Sequence, residues 1–476
     1  MSLKTLVRQS FIYGFGHILA RLVTFLLLPL YTNILSQTEF GVISLIYTFL
    51  GFMTVILHYG LDASLLKYYV SAEHEEKTAI LSNAYLSFVL TSFLFSAGLI
   101  LFRYQVSSFL FGETLPNIVM MVAVILFFDV LWAIHGLILR AEEKSVAFVS
   151  MSLFNVCLTL GLNIYFVVYL HEGVMGVVKS NLIMSVFLFV CTFPVIFSHI
   201  SFHTLSKAKW KKMIRFGIPF LPSGIFAMIM ELADRYILKY MTDMETVGLY
   251  SAGYKLGMLM LLLVMGFNMG WQPFFLKTKK GEDRKKLFTQ ITTYVLATVG
   301  FVWVLLIIWI ENIVQLNIGG TTLFGHKYWE SIVFVPWVAL GYFFFASYSL
   351  QLPGVFLTER TKWIATVRAI GAGMNIGLNI ILIHYIGAIG AAIATCLSFL
   401  GMSVALYIIN KKIYPMHYEW LRLFRIIVFM GVAFFVLHAY DLSMIGKLIL
   451  SVSYPTGLFL TGFLNQGERQ RIFKTS

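Results

Sequence analysis

The stretch FGIPFLPSGIFAMIMELADRYIL (216–238) contains the feature that decides the fold, an apolar run in which no charge separates Arg215 from Glu231. An α-helix rises about 1.5 Å per residue, so about 20 residues cross the roughly 30 Å of hydrocarbon in a bilayer. Apolar runs of this length recur along all 476 residues, of which 59% are hydrophobic and only 12% are charged. Soluble domains are about 25% charged. We therefore predict an all-α polytopic membrane protein, since helices satisfy their own backbone hydrogen bonds in lipid.

Fourteen apolar segments are candidate membrane spans. They cover residues 10–34, 40–61, 79–102, 116–139, 146–170, 174–198, 214–238, 247–276, 287–310, 331–357, 363–384, 387–410, 421–440 and 443–464. With the N-terminus in the cytoplasm, 26 of the 35 Lys and Arg residues lie on the cytoplasmic side, four lie outside and five lie within spans. Such a bias is what the positive-inside rule describes. The net charge of +13 therefore indicates a surface facing anionic lipid, and we expect no nucleic-acid partner.

The two halves of the chain share short matches in the same order. The matched segments are GLNI (161–164 and 377–380), TEFGVISLIY (38–47) with ETVGLYSAGY (245–254), LRAEEKS (139–145) with FLTERTK (356–362), and GVMG (173–176) with GAIG (387–390). A unit of six spans has an even number of crossings, so two such units share one orientation and form a parallel repeat.

This repeat predicts the domain organisation. We expect an N-terminal lobe at 1–200 with six spans, a basic cytoplasmic linker at 201–213, a C-terminal lobe at 214–410 with six spans, and two further spans with a cytoplasmic tail at 411–476. Repeats of this kind are typical of transporters whose substrate site lies between the halves.

Motifs for catalysis and metal binding are missing from the sequence. It contains no H-E-x-x-H, no P-loop and no G-x-S-x-G. Cys157, Cys191 and Cys396 lie far apart in apolar runs, which is not a metal or disulfide pattern. We therefore expect a protein that is not an enzyme and holds no cofactor or metal, with a proton or sodium gradient as the candidate energy source.

Basic residues inside spans are the first candidate site. Ionisable groups within a membrane are costly and usually face a wet interior. Arg21, Arg235 and Lys255 lie in the first, seventh and eighth spans. A cavity lined by these three cations would attract an anion, and a guanidinium is well suited to phosphate. We predict that they form a substrate-binding cationic cavity.

Acidic residues inside spans are candidates for an ion pair or for ion coupling. Asp129 lies centrally in the fourth span, where a structural pair and a proton-coupling role are both open. Glu231 can pair with Arg235 at i,i+4 spacing. Asp234 is a candidate for either a structural anchor or a coupling site.

Several of these segments resemble a known superfamily. LLLPLYTNILSQTEFGVISL (26–45) resembles the first-span signature of the multidrug/oligosaccharidyl-lipid/polysaccharide exporter superfamily. FGIPFLPSGIFAMIMELADRYILKYMTDMETVGLYSAGYKLG (216–257) is similar to the seventh-span signature of its polysaccharide-transporter (Wzx-like) branch, which WQPF (271–274) and LRAEEK (139–144) also fit. Where that branch often has Ser-Asp-Arg, this chain has Ala233 before the Asp-Arg pair.

The resemblance implies a fold and a function. It implies a V-shaped fold of two lobes and a flippase that moves undecaprenyl-pyrophosphate-linked oligosaccharide from the cytoplasmic to the outer leaflet. The pathway would be the biosynthesis of a surface polysaccharide, such as O-antigen, capsule or exopolysaccharide. The implied setting is the cytoplasmic (inner) membrane, with both termini cytoplasmic, membrane lipids around the protein and polysaccharide polymerase machinery as a partner.

Three alternatives remain open. A lipid II flippase is a close relative in the same superfamily. A drug/cation antiporter of that superfamily would favour an acid-dominated cavity, which the excess of basic residues disfavours. An integral membrane polysaccharide polymerase or ligase would normally need a sizeable outer loop, which the span map does not provide.

Overall fold

A computed structural model describes residues 19, 25–278, 281–318, 320–464 and 468, and these are helical almost throughout. The helices up to residue 241 are α1 (Leu27–Ile34), α2 (Gln37–His58), α3 (Leu61–Ser71), α4 (His74–Leu101), α5 (Arg103–Phe111), α6 (Pro116–Ala141), α7 (Ser145–Asn163), α8 (Gly173–Phe197), α9 (Lys207–Gly217) and α10 (Leu221–Met241). A π-helical segment (Ile164–Tyr169) follows α7, and short 3-10 segments (Phe202–Thr204 and Ile218–Phe220) flank α9.

Nine further helices lie after residue 241 in the part of the chain that the structure describes. They are α11 (Met244–Gly257), α12 (Leu259–Lys277), α13 (Glu282–Val314), α14 (Val335–Leu350), α15 (Leu352–Leu357), α16 (Lys362–Ile386), α17 (Ile389–Ile413), α18 (Trp420–Ala439) and α19 (Met444–Leu460). A 3-10 segment (His326–Phe334) leads into α14, and the two-residue strands β1 (Asn317–Ile318) and β2 (Thr321–Thr322) form an antiparallel hairpin before it.

The predicted all-α membrane fold is confirmed. Among the described residues, twelve helical segments are long and apolar enough to cross a membrane, and they match the second to thirteenth predicted spans with ends that differ by a few residues. The fourteenth predicted span is the shorter apolar helix α19. Most of the first predicted span lies outside the described residues, and α1 is its described end.

Local sequence signals explain where α2 begins and ends. Ser36 accepts a hydrogen bond from the Glu39 backbone N–H, and the Glu39 carboxylate accepts one from the Ser36 backbone N–H, which together form a capping box. At the other end Tyr59 and Gly60 have φ values of 33° and 74°. This left-handed backbone ends α2 and starts α3.

The chain divides into two compact units, residues 1–252 and 253–476. In the first unit α6 packs between α4 and α8, α10 packs on α2, and α9 packs on α3. In the second unit α17 packs between α14 and α16, while α18 packs on α13. The lobe boundaries given above stay a prediction. Helix α10, which that prediction assigns to the second lobe, packs on α2 within the first unit.

Positions matched in the internal repeat share unusual backbone geometry. Glu143 and Glu359 both have positive φ values, 60° and 57°. Gly173 and Gly387, also matched, have φ values of 54° and 64°. Positive φ is uncommon for residues other than glycine. The two halves therefore share local structure at loops where their sequences have few letters in common.

The asparagines of the two GLNI segments are also equivalent in structure. Asn163 and Asn379 are fully buried. Each side-chain amide donates a 2.8 Å hydrogen bond to the carbonyl four residues earlier, on Thr159 and Asn375 respectively. The repeat thus preserves a buried amide within each half, where a polar group needs a partner.

Candidate functional site

The helical periodicity of α10 determines which of its polar residues are buried. Pro222 lies in its first turn, where the missing N–H would have no helical partner in any case. Met230, Asp234 and Leu238 are buried and lie four residues apart, which puts them on one face of the helix. Arg235 is also buried, one position beyond Asp234. The polar cluster of the apolar run therefore points in part into the packed interior of the first unit.

Asp234 and Arg235 form a buried ion pair. The Arg235 Nη1 lies 2.8 Å from the Asp234 Oδ1, and the two side chains are 7% and 1% exposed. The Arg235 backbone N–H also donates to the Asp234 Oδ1, at 2.9 Å. A buried ion is tolerated when it is paired and hydrogen-bonded, and this pair meets both conditions.

Two further groups belong to this cluster. The Arg235 Nη1 donates to the backbone carbonyl of Glu231 at 2.7 Å, and the Tyr250 hydroxyl donates to the Asp234 Oδ2. The sequence predicted a pair between the Glu231 and Arg235 side chains, whereas the structure pairs Arg235 with Asp234. A buried guanidinium is stabilised best by a carboxylate that is buried with it, and the Glu231 side chain is only half-buried.

The three residues of the predicted cationic cavity lie in different parts of the chain. Arg235 belongs to the first compact unit, and Lys255 is half-buried on α11 within the second. Arg21 lies outside the described residues. The joint cationic cavity therefore stays a prediction.

Asp129 lies on α6 and is half-buried. Its Oδ1 accepts a 2.8 Å hydrogen bond from the Trp132 indole, one turn further along the same helix. This donor is neutral, so the contact orients the carboxylate without adding a charge. The ion-pair and coupling roles of Asp129 stay predictions.

Buried and half-buried amides and hydroxyls form polar contacts that the sequence did not single out. In the first unit the Tyr31 hydroxyl donates to the Asn163 Oδ1 at 2.7 Å, and the Asn181 amide donates to the Tyr47 hydroxyl at 2.9 Å. These four neutral polar groups lie on four different apolar helices, and each is a weaker sequence signal than a charge. The repeated asparagine of GLNI was the available signal.

The second unit has a comparable amide cluster. The Asn379 Nδ2 lies 3.2 Å from the Asn375 Oδ1, and the Asn375 Nδ2 lies 3.4 Å from the Thr395 Oγ1. All three residues are fully buried. Each half of the chain therefore holds neutral polar groups at membrane depth, in addition to the charges on α10.

A solved flippase and a solved transporter have a similar fold. The lipid II flippase MurJ, in an inward closed conformation, matches with a TM-score of 0.76 at 15% identity, covering 95% of this chain and 99% of that one. The MATE transporter VcmN of Vibrio cholerae matches with a TM-score of 0.60 at 11% identity, covering 86% of this chain and 96% of that one. At these identities the likeness shows a shared fold.

Sequence comparison shows the family. An uncharacterized membrane protein of Haemophilus influenzae is 21% identical over 434 residues, which is 86% of this chain and 98% of that protein. The family model described as polysaccharide biosynthesis protein matches residues 6–279, more than half of the chain. The chain belongs to this polysaccharide biosynthesis family. Family and fold together support a transporter or flippase rather than an enzyme.

Proposed function

We propose that this protein is a flippase for undecaprenyl-pyrophosphate-linked oligosaccharides, acting by alternating access between two lobes. One observation carries the proposal: a chain of the polysaccharide biosynthesis family has the fold of a lipid II flippase over 95% of its length. A polysaccharide biosynthesis protein without catalytic motifs fits the transfer of a lipid-linked intermediate. The sugar would belong to a surface polysaccharide, and polymerase machinery would receive it.

The pyrophosphate would bind the basic residues while the polyprenyl tail stays in lipid. Arg21 and Lys255 would act mainly through charge. Arg235 is already paired with Asp234, and this pairing lowers its attraction for an anion. We therefore assign Arg235 a mixed role, partly structural and partly substrate-facing. Its orientation is fixed by Asp234 and by the Glu231 carbonyl.

Coupling to a proton or sodium gradient is the proposed energy source. Asp129, Glu231 and Asp234 are the candidate groups. The proposed setting is the cytoplasmic membrane with both termini in the cytoplasm, which the distribution of Lys and Arg supports.

Leaflet-resolved transport in proteoliposomes tests the proposal. We expect wild-type protein to move an undecaprenyl-pyrophosphate-linked oligosaccharide between leaflets, and we expect Arg21→Ala and Lys255→Ala to lower the rate. Lys411→Ala is the matched control, because Lys411 is exposed at the end of α17. Full transport by both variants at normal expression would exclude the cationic mechanism.

The same assay separates the alternatives. Movement of lipid II in preference to the oligosaccharide lipid would identify a lipid II flippase. Export of cationic drugs without lipid movement would identify an antiporter. Formation of a longer glycan from the supplied lipid would identify a polymerase.

A further inference from the structure

The second compact unit contains a cavity of about 200 Å³ between α13, α14, α17 and α18. Its lining is mostly apolar but includes a small polar group. The polar lining residues are Thr292, Ser347, Gln351, Ser403 and the two tyrosines Tyr407 and Tyr418. A cavity of comparable size, about 150 Å³, is known to hold a benzene-sized ligand in a protein core. The volume is therefore large enough for part of an organic ligand.

Gln351 leaves one hydrogen-bond acceptor unused in this lining. Its Nε2 donates to the Ser403 Oγ at 2.9 Å and lies 3.1 Å and 3.2 Å from the carbonyls of Ser347 and Ser403. These acceptors fix the amide orientation, because the reverse orientation would place oxygen against oxygen. The Gln351 Oε1 is buried and accepts no hydrogen bond from any described residue. The side chain itself is 4% exposed.

A second unused polar atom belongs to Tyr418, another residue of the same lining. The Tyr418 hydroxyl is buried and has no hydrogen-bond partner among the described residues. Burial raises the pKa of this phenol, so the group stays a neutral hydroxyl near neutral pH. An unpaired buried polar atom destabilises a fold, and two such atoms on residues of one cavity indicate that a polar partner belongs there.

An apolar cavity continues from the first. It has a volume of about 190 Å³, shares Phe344 and Ile427 with the first cavity, and is lined further along α18 by Met430 and Phe434. From Trp420 to Phe434 the helix rises about 21 Å at 1.5 Å per residue. We call the two cavities together the α14–α18 groove.

The groove opens on an exposed apolar face of the second unit. Val404, Trp420 and Ile427 line it and are 47%, 57% and 45% exposed. Every residue that lines either cavity is neutral. A phosphate head would therefore lose its hydration without gaining a counter-charge, whereas a hydroxyl could donate to an amide oxygen.

We propose that the α14–α18 groove binds a neutral membrane lipid with a hydroxyl head, such as a long-chain alcohol. The hydrocarbon chain lies along Met430 and Phe434, and the head group O–H donates to the Gln351 Oε1. The Tyr418 hydroxyl donates to the head-group oxygen. This site lies within one unit and uses none of the charged residues above, so it does not depend on the proposed transport function.

Photolabelling of the purified full-length protein tests this site. The probes are a diazirine-bearing hexadecanol, its methyl ether and its monophosphate, which share one chain and differ in the head. We expect the alcohol to label peptides within 399–434, and the ether and the phosphate to label them roughly tenfold less, because each leaves the Gln351 oxygen without a neutral donor. Equal labelling by the ether would overturn the proposal and indicate chain packing alone. Preferential labelling by the phosphate would also overturn it.

Two pairs of variants sharpen the result. Gln351→Met removes the acceptor and should equalise labelling by alcohol and ether, whereas Gln315→Met, at an exposed glutamine, should preserve the preference. Val404→Phe narrows the mouth and should lower labelling by all probes, whereas Val432→Phe, exposed on α18 away from the groove, should not. Gel filtration establishes that each variant is folded. An unchanged alcohol preference in folded Gln351→Met would contradict the proposed head-group contact, and unchanged labelling of Val404→Phe would contradict the proposed entry.

Discussion

The ion pair of Asp234 and Arg235 indicates a structural role for charged residues on α10. From the sequence, Arg235 was predicted to bind an anionic substrate. In the fold the guanidinium is buried and held by a carboxylate, a carbonyl and, through Asp234, a tyrosine hydroxyl. Breaking a buried pair is far more costly than removing it whole, because one charge is then left behind. The pair is therefore first of all a structural unit of α10.

We expect Asp234→Asn to lower the free energy of unfolding by about 3–5 kcal/mol, since it leaves the Arg235 guanidinium buried beside a neutral amide. The double variant Asp234→Asn/Arg235→Gln should recover much of that loss. Thermal unfolding of the purified protein in detergent measures both. Glu231→Gln serves as the control and should have a small effect, because the contact from Glu231 to Arg235 is made by its backbone. Additive effects in the double variant would contradict the structural role.

Glu142 offers a pH-dependent test outside the membrane spans. Its carboxylate lies 2.7 Å from the Lys144 Nζ and accepts a 3.1 Å hydrogen bond from the Tyr69 hydroxyl. The bond to Lys144 and then the one from Tyr69 lower the pKa of Glu142, while burial and the nearby carboxylate raise the pKa of Tyr69 to about 12. A lowered carboxyl pKa stabilises the fold above the unfolded value of about 4.3, and this stability is lost as pH falls through the folded value.

We therefore expect Glu142→Gln to lower the melting temperature near pH 7, and we expect this effect to shrink as the pH falls through the folded pKa and the wild-type carboxyl also becomes protonated. Melting curves across that range measure the difference. Glu113→Gln, at an exposed glutamate, is the matched control. A constant difference between wild type and Glu142→Gln at all pH values would show that charge is not its cause.

At the scale of elements, close helix contacts depend on glycine. A Cβ on Gly248 of α11 would clash with the Gln37 carbonyl, and one on Gly41 of α2 would clash with the Met244 carbonyl. The repeat alignment matched these two glycines, and the structure packs them together. Backbone cannot move aside as a flexible side chain can, so the contact allows no side chain.

We expect Gly248→Ala to destabilise the protein by about 1–3 kcal/mol, because the added methyl overpacks a backbone contact. Gly377→Ala is the matched control: Gly377 is helical, and a Cβ there would have no described neighbour within 4 Å. Thermal unfolding in detergent compares them. Equal stability of the two variants would mean that α2 and α11 can separate at little cost.

At the scale of the whole molecule, orientation in the membrane follows from charge and can be tested directly. Lys211 lies in the linker predicted to be cytoplasmic, and Glu245 lies at the start of α11, predicted to be outside. Both side chains are exposed. In a background with the three native cysteines replaced by serine, we expect a membrane-impermeant maleimide to label Glu245→Cys in intact cells. Lys211→Cys should react only after permeabilisation, and the reverse pattern would invert the predicted topology.

Sequence alone determined the membrane class and twelve of the fourteen predicted spans. The length of an apolar run is a local property of the sequence, which explains why the second to thirteenth predicted spans agree with the helices within a few residues. The positions of the GLNI asparagines also followed from the repeat.

Tertiary structure decided which groups meet. Residues within one helix turn can be paired in several ways, and the sequence favoured Glu231 with Arg235 by spacing. Burial selected Asp234 instead, because a carboxylate inside the packed face balances the guanidinium where water cannot. Tyr250, which belongs to the cluster, is on another helix, so the periodicity of α10 cannot predict it. The unused acceptor of Gln351 could not be predicted from the sequence either, because the cavity forms only where four helices pack against one another.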